Sequence, residues 1–205
     1  MMPGMNSTTS QHNLNAADIA FIGGGNMATA IIGGLLRQGR APSSILVIDP
    51  SAEQRARLEA QGLRTAAAPD AALSQAATVV WAVKPQQFKD AAQACAARTR
   101  NALHFSVMAG LRTDDIARLL GTPRVVRSMP NTPALVGQGM TGLFARPEVS
   151  ADEREAIAQM VAPTGQLLWV PREADLDALL LERVLDLCGL CKLRHRIGQL
   201  GTFKL

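Results

Sequence analysis

Gly23-Gly24-Gly25-Asn26-Met27-Ala28 fits the pattern GxGxxA, with Gly23, Gly25 and Ala28 at its defining places, and Asp49 follows at the end of the next apolar run. This arrangement can bind a dinucleotide. Gly23 permits a tight turn, Gly25 lets backbone approach a pyrophosphate, and the small Ala28 lets a helix pack close to a strand. The helix start offers unpaired N–H groups and positive dipole character to the phosphates. A carboxylate at Asp49 can accept from a ribose 2′-hydroxyl and would repel a 2′-phosphate, which favours NAD. Ser51, Arg55 and Arg57 follow and could serve a phosphate, although two arginines on a helix equally make a solvated face. These residues leave NAD and NADP both open.

Other reactive side chains make no site at this level. Cys188 and Cys191 form a CxxC beside the basic cluster Lys192, Arg194 and Arg196. With only His195 nearby, a structural zinc is one ligand short, so no metal is expected. No βαβ context follows that would suit a thiol-redox motif, and the basic residues lack the aromatic interleaving expected of a nucleic-acid surface. Cys95 lies in the alanine-rich stretch DAAQACAA and reads as packing. His104 sits in an apolar run and reads as a core histidine, and His12 belongs to the N-terminal tail.

The residues that could do chemistry need a frame. "IAFIG" (19–23), "ILVID" (45–49), "TVVWAV" (78–83), "LHFSV" (103–107) and "RVVRSM" (124–129) read as buried strands, and segments with helical spacing separate them. Continuous apolar strands alternating with helices imply a parallel sheet covered on both faces by right-handed crossovers. The expected fold is α/β, a doubly wound Rossmann-type sheet, mostly parallel, with its ligand beyond the carboxyl ends of the strands. Pro85 ends its strand there and turns Lys84 toward that edge. Asn131 and Thr132, between Pro130 and Pro133, make a stiff polar loop or an ordinary proline-bounded turn.

The 205 residues carry 47% hydrophobic and 19% charged residues, which excludes a disordered chain. The opening residues lack a basic then apolar leader and no apolar run reaches spanning length, so a cytoplasmic protein without a membrane partner is expected. The net charge of +4 is uneven. From Leu179 onward five basic and two acidic residues supply +3 of it, so the body is almost neutral.

Four further stretches, "AVKP" (82–85), "SVMAG" (106–110), "VVRSMPNTPALVGQGMTGL" (125–143) and "TGQLLWV" (164–170), fall into order with "IAFIGGGNMA". Together they resemble pyrroline-5-carboxylate reductase, from about Asp18 to Ala178. The resemblance implies a reductase of proline biosynthesis that passes hydride from NADPH, less often NADH, to the C=N carbon of 1-pyrroline-5-carboxylate. It implies that Gly23 to Ala28 hold the pyrophosphate and that the region of Asp49 and Ser51 meets the adenosine ribose or its phosphate. It places Val83, Lys84, Pro85, Ala109 and Gly110 along the nicotinamide half, and Met129, Pro130, Asn131 and Thr132 on the substrate side. Pro69-Asp70 stand near where the family often carries an asparagine for the adenosine ribose. No general acid is singled out, since a protonated cyclic imine is already electrophilic and alignment with exclusion of water supplies most of the catalysis.

The expected organisation is a flexible tail over 1–17, a dinucleotide-binding domain over 18–178, and an aberrant tail over 179–205 in place of a helical dimerisation domain. The resemblance stops where "EADLDAL" gives way to "LLERVLDLCGLCKLRHRIGQLGTFKL". In the family the following domain forms the homo-oligomer and lends donors to the substrate carboxylate. Weak or absent turnover is therefore the expectation for this chain. A shifted reading frame or a divergent helical ending would each account for the change. The competing readings are a non-catalytic dinucleotide-binding remnant and another NADP-dependent Rossmann reductase.

Overall fold

The computed structural model describes residues 18–176 apart from residues 132, 135 and 136. The expectations for the two tails, including Cys188, Cys191 and His195, and for Thr132 lie outside the described residues.

Among the described residues eight strands form one sheet: β1 (Ile19–Ile22), β2 (Ile45–Ile48), β3 (Arg64–Ala66), β4 (Thr78–Trp81), β5 (Leu103–Ser106), β6 (Val125–Pro130), β7 (Gly139–Ala145) and β8 (Gly165–Trp169). Their order is β3-β2-β1-β4-β5-β6-β7-β8. The first six are mutually parallel, β7 runs antiparallel to β6, and β8 is parallel to β7. This is the doubly wound Rossmann-type α/β fold expected from the alternation of strands and helices. The order reverses between β1 and β4, which sets the crevice at their carboxyl ends.

Among the described residues the sheet is covered by α1 (Asn26–Arg37), α2 (Ala52–Glu59), α3 (Phe88–Thr99), α4 (Thr113–Leu120) and α5 (Ala151–Val161). On one face Phe21, Val47, Val80, Phe105 and Val126 pack with Ile31, Ile32 and Leu35 of α1 and Ile157 and Val161 of α5. On the other, Ile22, Leu46, Val79 and Trp81 pack with Phe88, Ala92 and Cys95 of α3 and Ile116 of α4. Strand side chains alternate between faces, so burial on both sides requires an unbroken apolar run. Every residue of β1, β2, β4 and β5 is buried accordingly.

Three strands and α5 escape the sequence reading. β3 has three half-buried residues, Arg64-Thr65-Ala66, at one edge, too few to show a period. The β7 residues Gly139-Met140-Thr141-Gly142-Leu143-Phe144-Ala145 contain two glycines and no β-branched aliphatic residue. β8 lies at the opposite edge and exposes Leu168. Helix α5 announces itself by a capping box, in which Ser150 Oγ accepts from Glu153 N–H while the Glu153 carboxylate accepts from Ser150 N–H.

Among the described residues no helix is long and apolar enough to cross a membrane, and no group of three or more histidine, cysteine or acidic residues could hold a metal ion.

Candidate active site at the carboxyl edge of the sheet

Gly23 leaves β1 with φ +92°, a left-handed conformation open to glycine. A Cβ there would lie 2.6 Å from the Ala82 carbonyl oxygen, so the turn also depends on a missing side chain. The Gly23 N–H donates to Ile48 O at 2.8 Å, and Ala82 N–H donates to Ile22 O at 2.9 Å. The ends of β1, β2 and β4 are thus knitted together just below the turn.

Helix α1 begins immediately after the turn with Gly25 at its N-cap and no side chain capping it. A helix start leaves up to four N–H groups without intrahelical partners. Serine, aspartate or threonine usually serves them, as Ser51 does for α2 and Ser150 for α5. A Cβ placed on Gly25 would meet nothing within 4 Å. Gly25 and Asn26 are exposed, whereas Gly23 and Gly24 are buried. An uncapped helix start facing open space at the switch point is a cradle for a diphosphate, and these residues fit a dinucleotide.

The chain leaves β1 toward α1 on one face and leaves β4 toward α3 on the other. Val83, Lys84 and Pro85 occupy the second exit. Val83 is half-buried against the glycine turn, with Cγ1 3.1 Å from where a Gly23 Cβ would stand. Lys84 is exposed and Pro85 opens a short 3-10 turn that closes by Gln87 N–H to Lys84 O at 2.9 Å. The next parallel strand, β5, ends in Ser106, whose Oγ accepts from Met108 N–H at 3.3 Å and whose carbonyl accepts from Ser128 Oγ at 3.0 Å. Exposed Ala109 and Gly110 follow, Gly110 with φ +76°.

Met129 and Pro130 finish β6, and Asn131 opens the loop into β7. Asn131 Oδ1 accepts from Met140 N–H at 3.0 Å, and Asn131 N–H donates to Met140 O at 3.3 Å. The amide oxygen is therefore committed to closing the loop. Residues from β1, β2, β4, β5 and β6 thus share one edge, as the sequence reading places them.

At the carboxyl end of β2 the geometry differs from the simplest expectation. Both oxygens of Asp49 accept backbone N–H groups, from Gly24 at 2.8 Å and from Ser51 at 2.8 Å. Arg55 folds back to donate through Nη1 to the carbonyls of Asp49 at 2.8 Å and Pro50 at 2.9 Å, whereas Arg57 pairs with Glu53 on the exposed side of α2. Asp70 caps a 3-10 turn by accepting from Ala72 N–H at 2.9 Å.

Sequence reasoning missed Gln54 and Glu173. Gln54 Nε2 donates to the Gly24 carbonyl, and the S-x-x-Q spacing from Ser51 was the available signal. Glu173 is buried beyond β8 and holds Thr113 and Arg127, a contact between distant segments that leaves no local pattern. A cleft of about 470 Å³ lined by Ile19, Leu35, Arg40, Thr78 and Met160 opens at the amino ends of β1 and β4, the wrong edge of the sheet for this chemistry.

A family model described as "NADP oxidoreductase coenzyme F420-dependent" matches residues 18–110. Pyrroline-5-carboxylate reductase of Pseudomonas aeruginosa is 43% identical over 164 residues, 78% of this chain and 60% of the relative. A solved structure of a pyrroline-5-carboxylate reductase from Coxiella burnetii superposes with a TM-score of 0.75 at 30% identity, covering 92% of this chain and 73% of that one. The chain belongs to the pyrroline-5-carboxylate reductase family. It spans 60% of the length of the Pseudomonas pyrroline-5-carboxylate reductase. The Plasmodium falciparum pyrroline carboxylate reductase, solved with NADP bound, shares the fold at 20% identity, with a TM-score of 0.69 over 90% of this chain and 68% of its own.

Proposed function

We propose that this protein binds NADPH, with NADH as a second donor, and reduces 1-pyrroline-5-carboxylate to L-proline, the last step of proline biosynthesis. The observation that carries the reading is the uncapped start of α1 at the β1/β4 switch point, in a chain of the pyrroline-5-carboxylate reductase family. The NADP-bound state of the Plasmodium structure supports the choice of cofactor. When bound, NADPH supplies the hydride.

The chain's own residues hold and orient. Gly25, Asn26, Met27 and Ala28 present helix-start amides to the diphosphate, and Gly23 and Gly24 form the turn beneath them, the Gly24 N–H being held by Asp49. The corner formed by Asp49, Ser51 and Arg55 borders the adenosine ribose. Val83, Lys84, Pro85, Ala109 and Gly110 line the nicotinamide half, and Met129, Pro130 and Asn131 face the substrate. A protonated cyclic imine needs alignment and a dry site more than a proton donor. The described residues fit that economy: His104, the one described histidine, is buried between β4 and α3, away from the site edge.

The same reading carries a homo-oligomer, and among the described residues β8 is the last strand of the sheet, with Leu168 43% exposed. Titration of the purified chain with NADPH and NADH, followed by oxidation of bound cofactor on adding 1-pyrroline-5-carboxylate, tests the proposal. Saturable binding and imine-dependent oxidation, however slow, support it. Binding without any oxidation removes the reductase and leaves a dinucleotide-binding module, and no binding of either cofactor overturns both.

A further inference from the structure

The backbone of Gly24 is held at both of its polar atoms by one corner of the fold. Its N–H donates to Asp49 Oδ2 at 2.8 Å. Its carbonyl accepts from Gln54 Nε2 and from Thr29 Oγ1, the latter at 3.2 Å. The fit is close, since a Cβ on Gly24 would stand 3.0 Å from Leu58 Cδ1, 3.2 Å from Gln54 Cγ and 3.3 Å from Asp49 Oδ2.

The start of α2 is rearranged to permit this. In a capping box the N3 glutamine or glutamate reaches back to the N-cap N–H. Ser51 performs its half, its Oγ accepting from Gln54 N–H at 3.3 Å. The reciprocal bond is taken over by Asp49 Oδ1, which accepts the Ser51 N–H at 2.8 Å. That substitution releases the Gln54 amide to reach Gly24.

We infer that Asp49 and Gln54 are positioning residues that clamp Gly24 and thereby aim the α1 start at the diphosphate, and that Asp49 does not select between NADH and NADPH. The inference rests on the proposed function, because it concerns how that cofactor is held. A carboxylate whose two oxygens each accept a backbone N–H is fixed by charge-assisted bonds, and turning it to a ribose would strand the buried Gly24 N–H. Cofactor choice then falls to Ser51, whose hydroxyl retains its own proton to donate, and to Arg55, whose guanidinium is already anchored at the corner by Nη1.

The test compares wild type, Asp49→Ala, Asp49→Asn and Gln54→Ala by dissociation constants for NADPH and NADH and by hydrogen exchange at the Gly24 amide. Asp49→Ala and Gln54→Ala should each weaken both cofactors roughly tenfold and leave their ratio within about twofold of wild type. The Gly24 amide should exchange roughly tenfold faster in Asp49→Ala, and Asp49→Asn, which keeps one acceptor oxygen, should recover most of both losses. A preference moved roughly tenfold toward NADPH in Asp49→Ala, or unchanged Gly24 exchange there, overturns the inference. If wild type binds neither cofactor, the proposed function fails instead, and Gly24 exchange still decides whether the clamp exists.

Discussion

The indole Nε1–H of Trp81 donates to Nδ1 of His104 across 3.0 Å, from β4 to its neighbour β5. The two rings are tilted by only 23°. His104 Nε2 lies 3.0 Å from the Thr99 carbonyl. One nitrogen must accept and the other donate, so the ring is the neutral Nε2–H tautomer. Trp81 is the last residue of β4, so this pair stiffens the strand end from which Val83-Lys84-Pro85 departs.

Burial holds the His104 imidazole down at about 4, with the Arg124 charge acting the same way and the Thr99 hydrogen bond opposing. A histidine with a depressed native value binds its proton first in the unfolded chain. Its contribution is therefore full above about pH 6.5, shrinks as the pH falls, and is gone near pH 4. The shift corresponds to about 3 kcal/mol. Urea unfolding of wild type and His104→Phe between pH 7 and about pH 4 should show a steeper loss in wild type. The variant itself should be less stable at pH 7 by about 1–3 kcal/mol, because Trp81 loses its acceptor.

Arg127 and Glu173 make a buried pair, 2% and 7% exposed, with Nη1 to Oε1 at 3.1 Å. The same carboxylate accepts from the N–H and the hydroxyl of Thr113, each at 2.8 Å, so it ties α4 and the segment after β8 to the middle of β6. Glu173→Ala should cost about 3 kcal/mol in chemical denaturation, since it removes the buried carboxylate that accepts from Thr113 N–H, Thr113 Oγ1 and Arg127 Nη1. Thr113→Val, which keeps the N–H bond, should cost about 1 kcal/mol. Equal losses in the two variants would mean that the ion pair adds nothing.

Two glycines of the turn should respond oppositely. Gly23→Ala meets the Ala82 carbonyl at 2.6 Å in a left-handed conformation, so stability should fall by at least about 2 kcal/mol. Gly25→Ala has ordinary φ and open space, so the fold should keep its stability within about 1 kcal/mol. Its Cβ projects into the cradle instead, and NADPH affinity should drop by roughly tenfold or more. Thermal unfolding with cofactor titration separates the two, and a Gly25→Ala chain that binds normally would place the diphosphate elsewhere.

Asn131 closes the β6–β7 loop through its amide oxygen. Asn131→Asp retains an acceptor for Met140 N–H and should unfold close to wild type, whereas Asn131→Ala should lose about 1 kcal/mol. If both lose equally, the amide nitrogen rather than the oxygen is the stabilising group.

The central sheet was legible because burial on two faces forces unbroken apolar runs, and the residues of β1, β2, β4 and β5 carry that mark plainly. β3, β7 and β8 were not, because short or edge strands need neither continuity nor period. Lys84 and Pro85 could be placed at the carboxyl edge of the sheet because parallel strands carry successive carboxyl ends to one side, whereas Ala109-Gly110 were named through the family resemblance alone. The role of Asp49 could not be read in the same way.

Gly23-Gly24-Gly25 after a strand, and an acid at the end of the next, are local facts, and by themselves they determine a turn, a helix start and a class of ligand. The tertiary structure decides which way the acid faces. Only when β2 lies beside β1 do Asp49 and Gln54 come within bonding distance of Gly24. Only when β8 has folded back does Glu173 reach Arg127. Hydrogen bonds act over about 3 Å in space whatever their separation along the chain, so such partnerships are invisible until the sheet has brought the segments together.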